Sequence, residues 1–412
     1  MNSKLKIFVS AYACEPGLGS EIGVGWHWVL EMSKQFELWV LTRESNRNSI
    51  EPWIEKHPEY QHIHWLYYDL PKWARFWKKG LRGVRTYYNL WQCLTNGIVK
   101  HTMQQNNIHI FHHLTYGNAL WKVSKYGQKQ FFIWGPIGGL ETIPYEFSKH
   151  YNHKSQFIES IRRIIAKSAP YNISLRRRCE NANLILCKTE ITRNALPNLS
   201  RPKTVLFTDV ATELQQTDNY TPSANTTTKL ICVGRLDAWR GFDLAIEAVA
   251  NATISHENIH LTIVGNGSDK KRLQHLIDKL NVNKFVTLAG KVSATQYRQL
   301  MQEADVVVNP ALKEAAVTVS FDSMTMGKPL ICLDTTGYTR YFNSNYAIII
   351  KPHSKKQVIQ DLTESILRLT NPSERLLLGE KAKEAATRFC WKNHGLEICD
   401  TILKAYSSFR QS

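Results

Sequence analysis

The sequence predicts an α/β protein of two doubly wound parallel-sheet domains facing a central cleft. Three observations point there. Short apolar runs alternate with amphipathic helical stretches, the pattern of a parallel sheet covered on both faces. A polar stretch, Thr212–Thr228, rich in Thr, Asn, Gln and Ser, interrupts the alternation, which then restarts. And 412 residues are more than one ordinary core serves.

The elements follow in order. Lys6–Ala11 reads as the first strand, followed by the glycine-rich turn Cys14–Gly25 and an amphipathic helix to about Lys34. Strand-like runs recur at Leu38–Leu41, His62–Leu66, Ile108–Phe111, Phe131–Trp134 and Leu184–Cys187. After the polar stretch come Leu230–Val233, Ile259–Val264, Phe285–Leu288, Val306–Asn309, Leu330–Leu333 and Ala347–Ile350. The expected division is therefore 1–211, a linker at 212–228, and 229–391. A last helix, about 392–412, is expected to cross back to the first domain.

Composition narrows the function classes. With 43% hydrophobic residues the chain is globular. Its formal charge of +17 calls for an anionic partner: nucleic acid, an anionic membrane surface or a phosphorylated ligand. No zinc-finger or RRM-type signature is present, and nucleic acid is not expected. Eight cysteines are scattered singly, so neither a disulfide framework nor a zinc site is expected, and a reducing cytoplasm fits. No leader and no membrane-spanning run are expected.

The most informative stretch is Glu314–Gly337. An apolar run ends at Asn309-Pro310, so Glu314 is placed on the loop leaving a buried strand, with Asp322 on the helix that follows. Gly327-Lys328-Pro329 stops that helix. Two acids flanking a helix N-terminus suit a sugar's hydroxyls, and the free amides near Thr318 suit a phosphate. Arg235 and Arg240 follow the strand Leu230–Val233 and can neutralise a diphosphate. Gly17, Gly19 and Ser20 form a glycine loop after the first strand. His112 and His113 end the strand Ile108–Phe111; adjacent strand residues face opposite ways, so one of them at most turns to the cleft. Trp134, Gly138 and Gly139 end another strand, with Trp134 a candidate stacking platform for a sugar ring.

Each signal also has a plainer reading. The arginines suit a solvated basic turn, and Asp322 suits a helix acid that complements the macrodipole. Any one glycine suits a tight strand-to-helix turn, and Trp134 suits a core position.

The ordered set resembles the retaining glycosyltransferases of the GT-B fold, family 4, and nearly the whole chain takes part. The second half carries Val233-Gly234-Arg235-Leu236 with Arg240-Gly241, Val264-Gly265-Asn266-Gly267, Leu288-Ala289-Gly290-Lys291-Val292, the acid pair Glu314 and Asp322, and Gly327-Lys328-Pro329. The first half resembles one branch, with Tyr12-Ala13-Cys14-Glu15-Pro16, Gly19-Ser20-Glu21, Gly25-Trp26 and Trp134-Gly135-Pro136-Ile137-Gly138-Gly139.

The resemblance implies two Rossmann-like domains, an acceptor-side one at 1–211 and a nucleotide-sugar-binding one at 229–391. It implies Glu314 near the transferred sugar, Asp322 on the ribose, Arg235 and Arg240 on the diphosphate, and one of His112 and His113 on the sugar. Gly265, Gly267, Lys291, Val292, Val317, Thr318 and Val319 would contact the donor, largely through backbone. Four positions depart from the family pattern: Arg240 for Lys, Asp322 for Glu, Ala315-Ala316-Val317 where glycine is common, and Arg340 where an acid is common. The expected chemistry is metal-independent, with no cofactor beyond the nucleotide-diphosphate sugar, and a glycan or lipid-linked acceptor.

Three stretches bear on location: Lys72–Arg85, which interleaves basic and aromatic residues, Arg162–Lys167, and Arg176-Arg177-Arg178. All are placed in the first domain and read as contacts for anionic lipid. A solvated basic face is the plainer reading. The alternatives to transfer are a non-catalytic sugar-nucleotide-binding protein and a sugar-nucleotide epimerase of the same fold.

Overall fold

The computed structural model describes residues 4–17, 20–78, 82–127, 130–151, 153–213, 227–313, 318–335 and 341–411. The chain divides into two compact units. The first comprises Met1–Leu140, Lys167–Asp209 and Trp391–Ser412; the second comprises Glu141–Ala166 and Val210–Cys390.

The first unit holds a seven-stranded parallel sheet in the order β3-β2-β1-β4-β5-β6-β7. Its strands are β1 Lys6–Ser10, β2 Glu37–Thr42, β3 His64–Tyr67, β4 Ile110–His113, β5 Phe131–Ile137, β6 Leu184–Cys187 and β7 Thr204–Leu206. β5 and β6 are buried along their whole length, and β1 from Ile7 onward, because both faces of the sheet are covered. β7 was not expected: three partly exposed edge residues carry no periodicity to read. The helix Trp391–Gln411 belongs to this unit. Gly395 lets it lie against the helix Ser20–Ser33, since a Cβ there would fall 2.5 Å from that of Glu31.

The second unit holds a six-stranded parallel sheet in the order β10-β9-β8-β11-β12-β13. Its strands are β8 Thr228–Val233, β9 Ile259–Val264, β10 Val286–Gly290, β11 Val306–Asn309, β12 Leu330–Leu333 and β13 Ala347–Ile350. In each sheet the strand order reverses once, between β1 and β4 and between β8 and β11. Loops leaving the carboxyl ends there diverge and leave a crevice, the usual ligand position of such sheets.

The expected first domain, 1–211, includes residues 141–166. Contacts group them with the second unit, where Ile143, Phe147 and Tyr151 join its core. Tyr151 donates to the Ala238 carbonyl at 3.0 Å. On the helix His153–Ser168 the buried Glu159 accepts from Lys313 Nζ at 3.2 Å and pairs with Arg162. No short-range pattern announces such long-range pairs. Of the basic runs, Arg162 and Arg163 therefore lie in the second unit.

Burial lowers the Lys313 pKa against the pull of Glu159, so the pair is costly to break from one side. Glu159→Gln is expected to destabilise the chain by about 2–4 kcal/mol in urea unfolding. The double change Glu159→Leu with Lys313→Met is expected to recover most of that; no recovery would assign the loss to packing.

Candidate functional site

The site in the second unit is built from loops leaving the carboxyl ends of its strands. Those after β8 and β9 touch backbone to backbone. A Cβ on Gly265 would lie 1.8 Å from the Gly234 carbonyl oxygen, and one on Gly267 would lie 2.3 Å from that of Leu236. Gly265 has φ +144°, a conformation that side chains avoid. Hydrogen bonds link the two turns, with Gly234 N donating to Val264 O at 2.9 Å and Asp269 N to Leu236 O at 2.9 Å. Gly265 and Gly267 thus have a steric reason to be glycine before any ligand is considered.

The loop after β8 also meets the loop after β11. A Cβ on Gly241 would lie 2.1 Å from Pro310 O, and Leu312 N donates to Trp239 O at 2.9 Å. Arg240 stands between these contacts. Its guanidinium lies 4.5 Å from the Trp239 ring centroid and 3.2 Å from where a Gly234 Cβ would be. Lys313 Nζ is 5.5 Å from the same Trp239 ring. Arg235 is more exposed, and its Nε donates to Asp237 at 2.6 Å. Asp237, which sequence reasoning passed over, also accepts from Ser268 of the next turn at 3.4 Å.

Asp322 lies on the helix Thr318–Thr325, as placed from sequence. Tyr297 O–H donates to its Oδ2 at 2.6 Å. Burial raises the Asp322 carboxyl from 3.8 to about 6, against the Tyr297 hydrogen bond and Arg298, which lower it. Tyr297 had no signal in the sequence, being supplied by another helix, Ala294–Glu303. Thr318 and Val319, both half-buried, open the helix of Asp322. Lys291 is exposed and Val292 half-buried, directly after Gly290 at φ +72°. Glu314, Val317 and Gly19 lie outside the described residues, as do Ala315, Ala316, Gly337 and Arg340. Among the described residues, Arg235 and Arg240 share one loop, while Asp322 is held in a separate set of contacts.

In the first unit, Gly17 sits at φ +73° with open space around its Cα. Ser20 opens the helix Ser20–Ser33, its side chain outside the described set. His112 and His113 are both buried and point to opposite faces of β4. His112 packs edge-on to Trp28 at 6.0 Å, and its Nε2 donates to Gly135 O at 2.8 Å. His113 Nε2 bonds the Tyr88 hydroxyl at 2.9 Å. Burial lowers His112 to about 4 and His113 to about 3, the latter also through Arg178, so both are neutral at pH 7. Both Nδ1 atoms lack a partner among the described residues.

Trp134 is not a sugar platform: its ring is fully buried, with the Arg178 guanidinium 5.1 Å from its centroid. Arg178 itself turns inward to donate to Ala119 O at 2.7 Å, so only Arg176 and Arg177 of that basic run are exposed. Gly138 N donates to Gly117 O at 2.7 Å. Gly139, at φ +94°, leaves room for Asn118, whose amide would be 2.1 Å from a Cβ there. The glycines after Trp134 therefore fasten one turn to another.

Residues 215–385 match the family described as "Glycosyl transferases group 1". The structure resembles that of WaaG, "a glycosyltransferase involved in lipopolysaccharide biosynthesis", at TM-score 0.60 and 16% identity over 96% of this chain and 98% of that one. It also resembles Anabaena Alr3699/HepE in complex with UDP and glucose, at TM-score 0.58 and 14% identity over 97% and 99%. The chain has the GT-B fold.

Curated relatives match this GT-B chain over a shorter stretch. Lipopolysaccharide glucosyltransferase WaaG of Escherichia coli (strain K12) is 30% identical over 38% of the chain and 41% of that protein. Alpha-D-kanosaminyltransferase of Streptomyces kanamyceticus is 27% identical over 37% and 39%. The chain thus spans about two fifths of the length of these relatives. Among the described residues of this GT-B chain, no group of three or more His, Cys, Asp or Glu is placed to hold a metal ion.

Two outcomes follow from this geometry. Gly265→Ala is expected to destabilise by more than about 2 kcal/mol, whereas Gly17→Ala, with free space but positive φ, costs about 1 kcal/mol; chemical denaturation measures both. Ionising Asp322 is harder in the fold than in the open chain. Its contribution to stability is therefore lost as pH rises from 3.8 through about 6. Asp322→Asn is expected to raise stability at pH 8 by up to about 3 kcal/mol and to change it little at pH 4, read from paired melts.

Proposed function

We propose that the chain is a retaining glycosyltransferase of family 4, moving a sugar from a nucleotide-diphosphate sugar to a hydroxyl of a glycan acceptor. The observation that carries this is the cationic loop Gly234–Gly241. It sits where the strand order of the second unit reverses and is wedged against the loop after β11. A fixed guanidinium at such a crevice opposes the charge that grows on a departing diphosphate. In this reading Arg240 and Arg235 neutralise that charge together with the backbone amides at Thr318. Asp322 accepts from the ribose hydroxyls, Glu314 from the transferred sugar, and Lys291 and Val292 border the base. The leaving phosphate accepts the acceptor's proton on the same face, giving retention without a metal or cofactor.

A UDP-sugar is the donor we favour, since Anabaena HepE holds UDP and glucose in the same fold. The acceptor we propose is a lipid-linked intermediate of bacterial surface polysaccharide, supported by the lipopolysaccharide role in WaaG's name and by the basic charge. We place the enzyme in the cytoplasm, peripheral at the inner face of the cytoplasmic membrane. No described helix is long and apolar enough to cross a membrane.

Labelled product from a panel of UDP-, GDP- and ADP-sugars tests this. Arg240→Ala is expected to lower kcat/KM at least about 100-fold, and Glu314→Ala is expected to abolish product. Full activity in both would remove the site. Calorimetric binding of UDP without turnover in the wild type would instead make the chain a sugar-nucleotide-binding protein.

A further inference from the structure

The helix His153–Ser168 is mounted with its polar side inward. Phe157, Ile158, Ile161, Ile164 and Ile165 recur at one-face helical spacing, and all are exposed, Phe157 and Ile164 at 66% each. The opposite face is hydrogen-bonded to the rest of the second unit. Buried Glu159 takes Lys313 at 3.2 Å, Gln156 donates to Tyr151 O at 2.7 Å, and Arg163 donates to Ser148 Oγ at 3.4 Å. An apolar face this wide is unusual on a soluble surface and marks a contact.

The surroundings indicate what covers it. Lys154, Arg162 and Lys167 are exposed on the same helix, and its single acid, Glu159, is buried. The exposed Glu146 upstream is paired with Lys149 at 2.9 Å. An apolar stripe rimmed by cations, with no exposed acid on its own helix, matches a bilayer bearing anionic headgroups. A second copy of the chain would bring like charges together.

We propose that this helix is the membrane-docking element, lying in the plane of an anionic bilayer with Phe157, Ile161 and Ile164 in the acyl boundary. It rests on the membrane-surface reading above, but not on the transfer reaction. The expected occupant is lipid, with Lys154 and Lys167 on headgroup phosphates.

Co-sedimentation with vesicles of phosphatidylglycerol and phosphatidylcholine, without donor or acceptor, tests it against phosphatidylcholine alone. Wild type should bind the anionic vesicles, and added salt should weaken binding. Phe157→Ser with Ile164→Ser should lose roughly tenfold or more in partition, with an unchanged melt because both side chains are exposed. Lys154→Gln with Lys167→Gln should lose less and show a shallower salt dependence. Equal binding by the serine variant would overturn the proposal. So would loss confined to Trp73→Ser with Phe76→Ser in the other basic stretch, or a wild-type dimer that the serine variant splits without vesicle binding. Transfer to a short soluble acceptor, followed in parallel, should be retained in the serine variant. Vesicle binding by a wild type that transfers nothing would sink the reaction and leave the docking intact.

Discussion

The candidate site depends on a contact that only glycine permits. The Gly234 carbonyl lies 1.8 Å from the position of a Gly265 Cβ, and Pro310 O lies 2.1 Å from that of a Gly241 Cβ. Three loops leaving β8, β9 and β11 therefore meet backbone to backbone at these glycines. Arg240 is held there, against Gly234 on one side and the Trp239 ring on the other. A guanidinium set by packing before a ligand arrives needs little reorganisation to meet a developing charge. Arg235, more exposed and leaning on Asp237, has more freedom to follow a ligand.

Charge is handled differently at the two ends of the second sheet. Before the strands begin, Asp305, Arg375 and Lys328 are all buried. Asp305 accepts from Lys229 N at 2.8 Å and lies 3.9 Å from Arg375 Nε, and Lys328 Nζ donates to Gln302 O at 2.8 Å. Burial lowers Lys328 to about 8, with Asp305 opposing. Gly327-Lys328-Pro329 is thus a structural motif, although its lysine looks like a ligand group in the sequence. At the carboxyl ends Arg235 is exposed and Arg240 half-buried, while Lys313 is paired with Glu159.

Strands were legible because apolar runs bounded by glycine and proline have one physical meaning in a parallel sheet. Ile259–Val264, Val306–Asn309, Leu330–Leu333 and Ala347–Ile350 stand where the periodicity put them. The alternation of His112 and His113 across β4 was likewise readable from strand geometry. What failed depends on contacts distant in sequence. Trp134 looks like a platform in the sequence, but it is buried in β5 with Arg178, from the helix Ile173–Asn181, on its ring. Arg178 looks like its exposed neighbours in the sequence, but it turns inward to donate to Ala119 O. Tyr297 carries no local mark, since its role is defined by a carboxylate 25 residues on.

The segment 141–166 shows the same limit. Isoleucines at helical spacing ordinarily face a core, and from pattern alone the helix would be turned over. Glu159 decides otherwise. Its carboxylate is buried against Lys313, and turning the isoleucines inward would strand both charges or expose that pair to no purpose. One acid therefore fixes the orientation of the helix. Lys313 directly precedes Glu314, so the same pair anchors the loop after β11 just before the acid proposed for the sugar. The element we assign to the membrane and the loop we assign to the donor are thus tied through the Glu159–Lys313 contact within the second unit. A carboxylate at that junction serves better than an apolar residue because it specifies which face of the helix is outward, a choice that hydrophobic packing by itself would reverse.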